Sequence, residues 1–125
     1  MTKLQLHTDD APAAVGPYSQ GISVGRLVFT SGQLPMRDGV LITDDVADAA
    51  RASLENVTSI LEAANASLAD VVKVTIFLKD MNDFAAVNAA YGDFFPKPYP
   101  ARSCIEVARL PLDAVLEIEA LAYVQ

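Results

Sequence analysis

The spacing of apolar positions divides the chain into short alternating runs and two longer runs of helical period. Residues 3–7, "KLQLH", alternate and predict an edge strand. "ISVGRLVFTSG" predicts two short strands about Gly25-Arg26, and "QLPMRDGVLIT" a hairpin turning at Asp38-Gly39. Val46, Ala50, Leu54, Val57, Leu61 and Ala64 then recur at three- and four-residue spacing, the stripe of a helix fading near Asn65. Thr43 is its candidate cap, and Asp44 and Asp45 suit the positive end of the dipole. "VVKVTIFLK" predicts a strand with Val72, Val74, Ile76 and Leu78 on one face, and Val71 and Phe77 on the other. A second helix starts near Asn82, with Phe84, Val87, Tyr91 and Phe94 or Phe95 as its stripe. It ends at "PKPYP", whose prolines forbid continuation. Strands over 102–108 and 115–124, joined by a turn near "RLPLDA", complete the pattern.

This order predicts one α+β domain over residues 1–125, a mixed sheet with both helices packed on one face. The strands are more apolar on both faces than a single helix layer explains. A second copy of the chain is the simplest partner for the bare face. In "PARSCIEVARLP" alternation sets Arg102, Cys104 and Glu106 on one side and Ser103, Ile105 and Val107 on the other. The odd residues are expected on the packed side and the even ones at a cleft.

Composition narrows the chemistry. A hydrophobic share of 52% and a charged share of 20% describe a packed domain. The net charge of −7, with nine scattered basic residues, argues against a broad nucleic-acid footprint but leaves room for a local anion site. One cysteine permits no intrachain disulfide and fits a reducing compartment. No apolar run approaches the ~20 residues of a membrane span, and the N-terminal stretch has neither a signal-peptide core nor transit-peptide character. A cytoplasmic location is the expectation. His7 and Cys104 are the only His and Cys, so a His/Cys metal set cannot be assembled, and a catalytic triad would have to use His7 near the terminus. Acid–base work by carboxylate, tyrosine or serine remains, with arginine as an anion clamp.

Five polar clusters interrupt apolar surroundings. "GPYSQG" presents Tyr18, and "FTSGQ" presents Ser31 and Gly32. Asn88 lies beside the second helix's stripe, "PARSC" supplies Arg102 and Cys104, and "AVLEIEAL" sets Glu117 and Glu119 on one strand face. Alone, Arg102 reads as an ion-pair residue, Cys104 as a small buried side chain, and "LEIEA" as an exposed strand face. Phe84, Val87 and Tyr91 read as core. Together, "GPYSQG", "TSGQLP", "NDFAAVN", "PARSCIEVARLP" and "LEIEA" resemble the successive signatures of the RidA (YjgF/YER057c/UK114) family, from about residue 10 to 124.

The resemblance implies a chorismate-mutase-like fold and a homotrimer whose sheets form a central barrel, with a cleft at each subunit interface. It implies a cofactor-independent deaminase without a metal, hydrolysing 2-aminoacrylate/2-iminopropanoate and 2-iminobutanoate to 2-oxo acids and ammonia. Arg102 would hold the substrate carboxylate and Glu117 would activate water, with Tyr18 as a third catalytic group. Ser31, Gly32, Asn88 and Cys104 would line the cleft. The chemistry suits these residues. A 2-imino acid is a small planar carboxylate that an arginine fork grips bidentately, and water attack on C=N needs only positioning and proton transfer. Alternation alone does not choose between Glu117 and Glu119; the resemblance selects Glu117. Some relatives are described as endoribonucleases or translation inhibitors, which implies RNA as an alternative partner. A non-catalytic trimer sensing 2-oxo acids would use the same arginine.

Overall fold

The computed structural model describes all residues, 1–125. A six-stranded sheet runs in the order β1 (Leu4–Leu6), β2 (Gly21–Val24), β3 (Leu27–Thr30), β8 (Leu116–Tyr123), β6 (Val71–Leu78) and β7 (Ala101–Glu106). A separate hairpin joins β4 (Met36–Arg37) to β5 (Val40–Leu41), and the helices are α1 (Val46–Glu62) and α2 (Phe84–Gly92). Every pairing is antiparallel except β6 with β7, whose parallel crossover contains α2. The expected mixed sheet with helices on one face is thus the observed one.

The core lies between that face and the helices. Leu54, Val57, Ile60 and Leu61 of α1 meet Val28, Val74, Ile76, Leu78, Leu116 and Ile118, all inaccessible to solvent or nearly so. Val87, Tyr91 and Phe95 extend it beneath α2. Gly21 permits this closeness: a Cβ there would lie 2.7 Å from Ile60 Cγ2 and 2.9 Å from the Phe29 carbonyl oxygen. Arg37 ties the β4–β5 hairpin to α1, pairing with Asp48 at 3.0 Å and Glu55 at 2.9 Å. Its hydrogen bond holds the Asp48 carboxyl below the usual carboxylate range.

Three local expectations are corrected. Asp45, not Thr43, caps α1: its backbone is extended and its carboxylate accepts the Asp48 N–H at 3.1 Å. In β6 the register with β8 shifts between Val71 and Lys73, a bulge that turns Val71 inward and leaves Val72 46% exposed. In β7 the odd residues Ala101, Ser103 and Ile105 face away from the helices and are exposed, whereas Arg102 and Cys104 are part-buried. The packed side of this strand within one chain is therefore the even one. Val72 and the odd β7 positions join Leu27, Phe29 and Tyr123 among the exposed apolar or uncharged residues of the strands. No helix is long and apolar enough to cross a membrane.

Candidate functional site

The site residues gather in two groups on opposite faces of the sheet. The first forms where the segment after β3 meets β8. Gln33 and Ile118 bridge backbone to backbone, 2.7 Å from Gln33 N to Ile118 O and 3.1 Å in return. This bridge lays Gly32 against Glu117, so close that an added Cβ would sit 2.7 Å from Glu117 Cδ. Ser31 is tied to the Tyr18 loop: its hydroxyl donates to the Ser19 carbonyl at 2.6 Å and its N–H to the Gln20 carbonyl at 2.9 Å. Tyr18 is half-exposed, its hydroxyl accepting the Val15 N–H at 3.2 Å. Tyr18 and Ser31 line one hollow with Ile22 and Phe29.

Glu117 is the titratable member of this group. It is part-buried, and burial pushes its carboxyl above the ordinary range, with the neighbouring Glu119 charge raising it further. It lies in register with Phe77 of β6, and Phe77 with Ile105 of β7. It therefore shares the face that the helices leave uncovered.

The second group lies at the β7 edge under α2. Asn88, Tyr91, Gly92, Tyr99, Pro100 and Arg102 line an open cleft of about 440 Å³. The Arg102 guanidinium carbon stands 4.8 Å from the centre of the Tyr91 ring and 5.6 Å from that of Phe84. Arg102 forms no salt bridge in the chain; the carboxylates that are paired belong to His7, Arg37, Arg51 and Lys79. Its fork of N–H donors thus meets a cleft without a competing carboxylate. Cys104 is part-buried and packs against the core, and burial pushes its thiol up, against the opposing pull of Arg102. A thiol held protonated is a wall, not a nucleophile.

One chain therefore joins Tyr18, Ser31, Gly32 and Glu117, and separately Asn88, Cys104 and Arg102. It does not join the two groups, because residue 102 faces the helix layer while 117 faces away. Phe84 and Tyr91, which helical spacing alone assigns to the core, bring their rings to the Arg102 guanidinium. Their signal was their spacing with Asn88: positions 84, 88 and 91 share one helix face. A larger hollow of about 560 Å³ between β1, β2 and the end of α1 contains none of the candidate residues.

Fold and geometry together define a class: an α+β domain with an unpaired arginine at a sheet-edge cleft and a part-buried carboxylate on the opposite sheet face. The chain belongs to the RidA (YjgF/YER057c/UK114) family, matching over residues 8–124 the model described as "Endoribonuclease L-PSP". It is 54% identical over 122 residues to a 2-iminobutanoate/2-iminopropanoate deaminase of Salmonella typhimurium, covering 94% of each chain. It is also 54% identical to a RutC family protein of Haemophilus influenzae, over 98% of this chain and 97% of that one. Among solved structures it resembles Escherichia coli TdcF with bound serine, with a TM-score of 0.93 and 49% identity over 98% of this chain and 99% of the other.

Proposed function

We propose that this protein is a cofactor-independent 2-imino acid deaminase, acting on 2-iminopropanoate (with its enamine tautomer 2-aminoacrylate) and 2-iminobutanoate. The observation that carries the reading is Arg102, a guanidinium with no carboxylate partner in the chain, lining an open cleft with Asn88 and Tyr91. The deaminase relative at 54% identity and the serine bound to the TdcF relative, itself a small amino acid carrying a carboxylate, support a substrate of this kind.

The active protein is a homotrimer in which each site is completed between copies. Arg102, Asn88 and Cys104 come from one subunit; Glu117, Gly32, Ser31 and Tyr18 come from its neighbour. Such packing covers the exposed face carrying Leu27, Phe29 and Tyr123 and brings the two groups together. Arg102 grips the substrate carboxylate bidentately and fixes the plane of the adjacent C=N. Glu117 takes a proton from water as its oxygen bonds to the imine carbon, and the nitrogen gains a proton. The resulting carbinolamine collapses as Glu117 relays the hydroxyl proton to the amino nitrogen, so that the C–N bond breaks with ammonia leaving and the carbonyl of the 2-oxo acid forming. Tyr18 and Ser31 border the water's approach. The elevated carboxyl of Glu117 suits proton exchange near neutrality better than an ordinary glutamate.

The test couples the purified protein to a serine or threonine dehydratase and follows imine loss by absorbance. The wild type accelerates decay over buffer; Arg102→Ala abolishes the acceleration. Arg102→Lys remains at least ~10-fold impaired, since a point charge loses the planar grip. Full activity in Arg102→Ala overturns the mechanism. RNA cleavage, the activity in the family model's description, draws no support from a chain of net charge −7. Incubating RNA with the wild type and with Arg102→Ala separates the two activities.

A further inference from the structure

We infer that Phe84 and Tyr91 form an aromatic seat that positions Arg102 for its ligand, so that both rings are positioning residues of the site. The inference rests on the deaminase reading above and adds to it the part of α2 that sets the arginine's orientation.

The geometry points to this through what surrounds the guanidinium. An arginine is usually oriented by a carboxylate, which consumes the N–H donors it orients. Arg102 has no salt-bridge partner, and its guanidinium carbon stands within 6 Å of two ring centroids instead. Aromatic faces hold a guanidinium by its own flat surface. They leave the in-plane N–H groups directed outward, where a carboxylate binds side-on. Such a seat orients the fork without competing for it.

The seat is itself fixed. Tyr91 is 5% exposed and packs on Phe95, with ring centroids 4.6 Å apart. Phe84 opens the same helix, seven residues earlier on the same face, and is 37% exposed. Within the chain the buried Tyr91 hydroxyl has no hydrogen-bond partner, and Tyr91→Phe separates its contribution from that of the ring. The parallel pairing of β6 with β7 holds the other component, placing Arg102 in register with Val74 beneath the rings.

The test measures imine turnover and the affinity for 2-oxobutanoate, by titration calorimetry, in Phe84→Leu, Tyr91→Leu and Tyr91→Phe. Phe84→Leu, at the part-exposed position, raises KM and the 2-oxobutanoate Kd about 2- to 5-fold, and Tyr91→Leu about 5- to 30-fold. Tyr91→Phe keeps the ring and restores most of the affinity lost in Tyr91→Leu. Simple loss of folded protein would instead lower apparent kcat and leave KM alone. Phe84→Leu keeps the test decisive if Tyr91→Leu fails to fold. If the wild type turns over imine and binds 2-oxobutanoate while Phe84→Leu and the folded Tyr91 variants retain its KM and Kd, the seat is overturned and the deaminase reading stands. If the wild type neither binds nor turns over, the deaminase reading falls and the seat with it.

Discussion

Gly32 is the residue where backbone close approach and chemistry coincide. Its φ does not lie in the left-handed region, so alanine is conformationally permitted there. What alanine would disturb is contact: the new Cβ would lie 2.7 Å from Glu117 Cδ and 3.0 Å from Oε1, so the glutamate side chain must shift. The carboxylate must move by a few tenths of an ångström or more, because the Gln33–Ile118 bridge anchors the backbone on both sides. Gly32→Ala should therefore lower kcat by about 10- to 100-fold with a smaller change in KM, as the displaced base no longer addresses water while Arg102 still binds carboxylate. Wild-type kcat in a folded Gly32→Ala protein would separate Glu117 from the chemistry. At this scale the sequence was informative about identity and silent about distance. "TSGQ" and "LEIEA" stand more than eighty residues apart in the chain, and only the β3–β8 pairing puts one against the other. Tyr91 has the spacing of a core residue along α2. It is core on one side and Arg102's support on the other.

The strands define which side chains influence one another. In β8, Glu117 and Glu119 are two residues apart on one face, about 7 Å along the strand. Burial is the larger cause of the raised Glu117 carboxyl, and the Glu119 charge adds to it. If Glu117 is the proposed base it works ionised, and turnover should fall as pH drops through its raised pKa. Glu119→Gln removes the neighbouring charge and stabilises ionised Glu117, moving that acid limb to lower pH. The limb stays above the ~4.3 of a free glutamate, because burial persists. A pH–kcat profile of Glu119→Gln superimposing on the wild type would assign the limb to another group. Period-two alternation made β8 legible, and the three- and four-residue spacing did the same for α1. Alternation failed at Val71 and Val72, since two valines carry no mark of the bulge that exchanges their faces. It failed also at the odd β7 residues Ala101, Ser103 and Ile105, which face away from the helices and are exposed within the chain.

On the proposed mechanism a single subunit lacks half of the site, and that is the consequence of sheet parity for the whole molecule. Arg102 and Glu117 are held on opposite faces of one sheet, so no small acid can engage both within one chain. If the neighbour supplies the missing half, the assembly has a mass of about 40 kDa by light scattering, three times the 13.3 kDa chain. It also permits complementation. Arg102→Ala retains an intact Glu117 half, and Glu117→Ala retains an intact Arg102 half. Each variant alone is inactive in the dehydratase-coupled assay. Unfolded together in equal amounts and refolded, they assemble at random. A given site then draws its arginine half from the Glu117→Ala chain, and its carboxylate half from the Arg102→Ala chain, in about one case in four. The mixture should recover roughly a quarter of wild-type turnover per site, whereas mixing the folded variants without dissociation recovers none. Failure of the refolded mixture, with wild type refolded alongside regaining full activity, would mean that both groups serve one chain's site and would force a rearrangement of β7 against β8. Recovery assigns the two halves to different subunits.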